Sequence, residues 1–134
     1  MKEIVINSCF GGFGLSYEGV MEYAKLKGIT LYAYINDNFN EYKPYKGKGK
    51  YIFLSYYTKP IEEIEEENRD EFYFSIYDIN RDDPTLVQTV KNLGKKSWGN
   101  CAELKIVKIP DDINWQIEEY DGSEHIAETH RTWS

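Results

Sequence analysis

The sequence predicts an α+β fold: a mixed or largely antiparallel sheet with two main helices packed on one face. Three observations set that class. Only two stretches carry a clear helical period, one after Ser16 and one after Asp83. Seven short runs are instead β-branched, aromatic or alternating, as strands are. The C-terminal part contains Asp121-Gly122 between two such runs, a strong hairpin signal.

In chain order, Ile4 to Ile6 reads as the first strand and runs into the glycine-rich turn Phe10-Gly11-Gly12-Phe13-Gly14-Leu15-Ser16. Ser16 is a natural N-cap for a helix whose apolar positions are Tyr17, Val20, Met21 and Ala24, and Gly28 is its stop. Thr30 to Ile35 is a second strand, which would make this step the one possible βαβ crossover in the chain. Residues 36 to 50 have no period and end in a run of lysine and glycine, so a basic, mobile loop is expected there. Tyr51 to Tyr57 is a strand. Pro60 to Glu71 carries seven acids and one arginine, with Ile61 and Ile64 at helical spacing: a short, mostly exposed helix or turn. Phe72 to Ile79 is a strand. Asp83-Pro84 opens the second helix, with Leu86, Val87, Val90 and Leu93 as its buried stripe. Leu104 to Ile109, a run from Trp115, and Glu124 to Thr129 complete the strands.

The chain of 134 residues is the size of one domain, spanning 1–134, with 36–71 as a loop and charged excursion inside it. Its 16% aromatic content, with twelve tyrosines, supplies a core that the 41% hydrophobic fraction alone would leave modest. A formal charge of −7 argues against non-specific nucleic-acid binding and against an anionic membrane surface. A small anion remains possible, because a few placed donors outweigh distant net charge. Cys9 and Cys101 are too few for a disulfide scaffold and lack metal spacing. The N-terminal run is too short and interrupted for a signal peptide, and no segment has the length of a membrane span. The cytosol is the expected compartment.

The candidate site begins with the glycine turn. A strand, a Gly-Gly-Phe-Gly turn and a capped helix place N–H groups at a positive helix end, which suits a phosphate or carboxylate. Phe10, Gly11, Gly12, Phe13, Gly14 and Ser16 are its candidate ligand-binding residues. It is neither a P-loop, for no lysine follows, nor the dinucleotide fingerprint, for the glycine spacing differs. The competing reading is a tight turn anchored by Phe10 and Phe13. Arg81 could grip a planar anion bidentately; the alternative is a salt bridge to Asp82, Asp83 or another nearby carboxylate. His130, Arg131 and Trp133 give the C-terminus both phosphate-binding and stacking capacity, unless Trp133 only pins the terminus. The lysine–glycine loop could cover a ligand or simply be solvated.

The residues weigh against catalysis. Cys9 with His125 or His130 is the only nucleophile–base pair to hand, and no family signature surrounds it. His125 and His130 fall on opposite faces of a strand, a poor zinc pair, and the acids of 62–71 lack calcium-loop spacing, so no metal or cofactor is expected.

The stretches Cys9 to Ser16, Arg81 to Val87, Ile109 to Asp112, Tyr120 to Gly122 and His130 to Trp133 resemble those of a family of small proteins in tailed-phage and prophage genomes. The resemblance covers nearly the whole chain outside 36–71. It implies a setting rather than an activity: a non-structural phage product at work in the host bacterial cytoplasm. By analogy with phage anti-defence sponges, it implies immune evasion by a homo-oligomer that sequesters a small anionic nucleotide signal of cyclic-nucleotide or cyclic ADP-ribose type, without catalysis. The alternatives are an acidic inhibitor directed at a host defence or nucleic-acid-binding protein and, third, a small hydrolase using Cys9 and His130.

Overall fold

A computed structural model of the chain describes residues 1–10, 12–38, 41–45, 54–99 and 102–128, with backbone alone at 36–38, 41 and 42. The fold is α+β, and all of its described strand pairs are antiparallel. Among the described residues the strands form three small sheets rather than one. The first pairs β1 (Lys2–Asn7) with β6 (Leu104–Ile109), Asn7 opposite Leu104. The second has four strands in the order β3 (Glu41–Pro44), β2 (Tyr32–Asn38), β4 (Leu54–Tyr57), β5 (Tyr73–Phe74). The third is the hairpin of β7 (Trp115–Tyr120) and β8 (Ser123–Glu128).

Helix α1 (Tyr17–Lys27) starts and stops where its sequence dictates. The Ser16 hydroxyl accepts from the Gly19 amide, and Gly28 takes the left-handed conformation that closes the helix, at φ 78°. Helix α3 (Pro84–Leu93) is capped by Asp83, whose carboxylate accepts from the Thr85 amide, and proline fills its first position. Between them lies α2 (Arg69–Phe72), a single turn. α1 and α3 pack on each other, and α3 on β1. One main core draws Val5 from β1, Val20 and Ala24 from α1, Ala33 from β2, Tyr56 from β4, Leu86 and Val90 from α3 and Leu104 from β6. Ile4, Val5, Val20 and Leu86 are fully buried, each worth about 1.5–3 kcal/mol relative to exposure.

Three expectations need correction. The β1–α1–β2 step is not a crossover within a sheet, since β1 and β2 belong to different sheets. The stretch expected as a loop from 36 holds the end of β2 and the strand β3, because backbone pairing to β2 supplies order that side-chain periodicity does not advertise. The 72–79 strand is only two residues long: Ser75 accepts from the Tyr77 amide and turns Ile76–Asp78 into a 3-10 turn. Residues 46–53, which hold most of the basic loop and the start of the expected 51–57 strand, lie outside the described residues.

A second, smaller cluster sits on the other face of the four-stranded sheet. Register puts Ala33, Tyr56 and Phe74 on the face of the main core, and Tyr32, Tyr57 and Tyr73 on the opposite one. Ile64, with Ile61 and Phe72, packs there against Tyr34 and Tyr57. The acidic excursion is thus a flap laid over the sheet's outer face.

Candidate functional site

The glycine turn leaves β1 through Asn7, which is fully buried. Its Oδ1 accepts from the amides of Cys9 (3.2 Å) and Glu103 (2.9 Å), and its Nδ2 donates to the carbonyls of Cys9 and Gly122 (2.7 Å each). Every hydrogen-bonding position of that side-chain amide is filled, so Asn7 ties the turn, β6 and the hairpin tip together.

Arg81 is the other centre. Its guanidinium stands over the Phe13 ring, 3.6 Å from Cζ to the centroid, and grips Glu124 bidentately at 2.6 and 2.9 Å. The two side chains are 18% and 5% exposed, so this is a largely desolvated pair. Glu124 Oε1 also accepts from the Asn7 amide at 2.8 Å, while the Arg81 carbonyl accepts from the Val5 amide at 2.8 Å. Where a third strand would satisfy the free edge of β1, Arg81 and Glu124 do so. The salt-bridge reading of Arg81 is therefore the one realised, with Glu124 as partner in place of Asp82 or Asp83.

The start of α1 is similarly committed. Ser16 caps Gly19, its hydroxyl donates to the Lys96 carbonyl, and its amide donates to the Ser97 carbonyl at 2.9 Å. Carbonyl oxygens thus crowd the helix end where an anion was expected, and they oppose negative charge. The glycines have a second use. Gly99 donates to the Gly14 carbonyl at 3.0 Å, and a Cβ on Gly99 would stand 2.8 Å from the Gly14 carbonyl carbon. Only glycine lets these two backbones approach so closely. Gly12 has φ 97° and open space about its Cα.

What remains open to solvent is aromatic. Phe10 is 63% exposed and meets Tyr120, 73% exposed, edge to face at 6.4 Å between centroids. Tyr120 precedes Asp121 and Gly122, both at positive φ (49° and 88°), the turn that the Asp-Gly pair predicts. Of the candidate ligand-binding residues, Phe13 and Arg81 are brought into contact, Phe10 meets Tyr120, and Gly14 and Ser16 are bound to the 96–99 segment. Gly11, His130, Arg131 and Trp133 lie outside the described residues. Glu128 ends β8 about 17 Å along the strand from Ser123, at about 3.3 Å per residue.

Sequence reasoning missed Glu124, Asn7 and Tyr120. The signal for Glu124 was there: it shares a strand face with Ile126, and an acid on an inward face calls for a buried cation. Arg81 is one of only three arginines that could answer.

Two further titratable groups tie the helices together. Tyr23 donates to Asp83 at 2.8 Å, and Lys27 adds a contact at 3.1 Å, tying α1 to the cap of α3. Burial, with the Asp83 carboxylate, pushes the Tyr23 hydroxyl up to about 12. Burial also pushes the Asp83 carboxyl up, but Tyr23, the Thr85 amide and Lys27 together hold it below the usual range. Cys9 is half-buried, and His125 faces Glu118 across the hairpin at 3.1 Å. Among the described residues no three His, Cys, Asp or Glu side chains group as metal ligands would, and no helix is long and apolar enough to cross a membrane.

The chain matches no family model, none of the curated proteins and no solved structure.

Proposed function

We propose that the chain is a non-catalytic binding protein that sequesters a small anionic ligand carrying a flat ring, of the nucleotide class, at its glycine-turn end. One observation carries this reading. Three segments far apart in sequence, the turn around Phe10 and Phe13, Arg81, and Tyr120 with Gly122, converge there on a buried polar network. A rigid floor under two exposed rings is the arrangement that stacking on a nucleobase needs. Arg81 in this reading holds the floor, because its fork is already taken by Glu124. Arg131, outside the described residues, is the candidate to meet the ligand's charge, with a second copy completing the enclosure in a homo-oligomer. The setting we propose is that of a phage accessory protein acting against an immune signal in the host cytoplasm.

The test is native mass spectrometry after incubation with cyclic nucleotides and cyclic ADP-ribose isomers. The expected result is a mass shift, with unaltered ligand recovered on denaturation. Phe10→Ala and Tyr120→Ala should each weaken binding about tenfold, the usual worth of one base–aromatic stack. Binding indifferent to both rings would place the site elsewhere, and ligand returned in altered form would make the protein an enzyme.

A further inference from the structure

We propose that the outer face of the four-stranded sheet is a separate docking surface, and that its partner is an arginine- or lysine-rich segment of another protein. The register aligns Tyr32, Tyr57 and Tyr73 in one row across three strands. Tyr57 is buried and meets Tyr73 edge to face at 5.6 Å, whereas Tyr32 and Tyr73 are 36% and 50% exposed. The flap covers the neighbouring part of this face through Ile64 and leaves these two rings uncovered. The row is therefore a shallow aromatic strip with its own rigid support.

The flap fixes the sign of the partner. Glu62, Glu63, Glu65, Glu66, Glu67, Asp70 and Glu71 are all exposed. Among the described residues none of them enters an ion pair. They are held in place rather than trailing, since Ile64 is buried and the Ile61 amide donates to the Tyr34 hydroxyl at 2.9 Å. Carboxylates fixed beside exposed tyrosines complement a cation that can lie on a ring and reach an acid at once. The same face already shows that chemistry in miniature, with the Lys59 ammonium 4.6 Å above the Phe72 ring. Nucleic acid is repelled by such a surface.

The test uses the full-length chain and a short fluorescein-labelled peptide alternating arginine and serine, followed by anisotropy at low and high salt. Binding should weaken steeply with salt, as exposed charge pairs do. The variant Glu66→Gln/Glu67→Gln should lose about tenfold in affinity and Tyr73→Ala about fivefold, within the usual range for rim charges and a single aromatic contact. Asp111→Asn/Asp112→Asn, which removes the same charge from the turn after β6, should leave affinity unchanged. If that control loses as much as the flap variant, the peptide reads only net charge and the proposal fails. It fails equally if Tyr73→Ala binds like the parent, for then the acids act without the sheet face. Absence of binding at low salt also overturns it. All five substituted positions are solvent-exposed, and circular dichroism checks that each of the three variants is folded.

Discussion

At the glycine-turn end, Arg81 and Glu124 are buried, and their polar atoms are matched to each other and to the backbone of Val5 and Asn7. On the outer face of the four-stranded sheet, seven carboxylates are exposed, of which Glu62 accepts from the Tyr34 hydroxyl at 3.5 Å, and Ile64 holds the segment that carries them. Polar groups of the first kind determine how the chain folds, because leaving any one unmatched costs the desolvation of its partner. Those of the second kind contribute little to folding, since exposed charges are already solvated. The difference predicts opposite responses to the same change, removal of one carboxylate.

The largest effect is expected at Glu124. Glu124→Ala leaves the Arg81 guanidinium buried without its counter-charge and the Asn7 amide without an acceptor. Breaking a buried pair in this way costs about 3–5 kcal/mol, read as a fall in the urea midpoint. Replacing both partners by apolar residues should restore much of the loss, since the pair itself earns little over a well-packed apolar contact. If the single variant is as stable as the parent, the pair is not part of the fold's framework.

Glycine in the turn comes next. Gly99→Ala puts a methyl group 2.8 Å from the Gly14 backbone, and neither main chain can yield cheaply. Overpacking of this kind costs about 1–3 kcal/mol. Gly14→Ala would meet only an ordinary contact at 3.7 Å, so the two neighbours should differ clearly in thermal midpoint. Equal effects would mean that the close approach does not constrain the turn.

The two regions also differ in how far the sequence discloses them. Helix ends were legible because Ser16, Gly28 and Asp83-Pro84 act on backbone groups within a few residues of themselves. The Asp121-Gly122 turn and the exposed acids were legible for the same local reason. The Arg81–Glu124 pair spans 43 residues and the Asn7–Gly122 bond 115, and no local pattern encodes such partners. Without them a strand edge could not be told from a strand centre, and one sheet was expected where three form among the described residues. Strand β3 is the reverse case: pairing with β2 orders a stretch whose own composition reads as loop. Of the candidate site, its parts were visible in sequence but their commitments were not. Arg81 and Ser16 read as ligand groups until their actual partners are seen.

A smaller effect separates α1 from α3. Tyr23→Phe removes the hydroxyl that Asp83 accepts and should cost about 0.5–1.5 kcal/mol at neutral pH. Its pH dependence gives the sharper reading. The folded-state pKa, about 12, lies above the ordinary tyrosine value of about 10, so the stabilisation is complete below about pH 10 and disappears as pH rises towards 12. Asp83 works in the other direction: its lowered pKa contributes stability at neutral pH that is lost as pH falls through its folded value. Denaturation followed against pH should show the alkaline loss in the parent and a smaller one in Tyr23→Phe. Identical alkaline limbs would remove Tyr23 from the contact between the helices.

The smallest effect is expected on the flap, and it carries the opposite sign. Glu66 lies between Glu65 and Glu67, all three exposed, so Glu66→Gln relieves repulsion and breaks no contact. Stability should stay within about 0.5 kcal/mol of the parent, the range for surface changes away from structural contacts, and any shift should be a gain. Added salt, which screens like charges, should raise the parent's stability slightly more than the variant's. Chemical denaturation of the two proteins at low and high salt reads both quantities. A clear loss of stability in Glu66→Gln would show that this carboxylate is a structural partner, and the contrast between the two faces of the molecule would not hold.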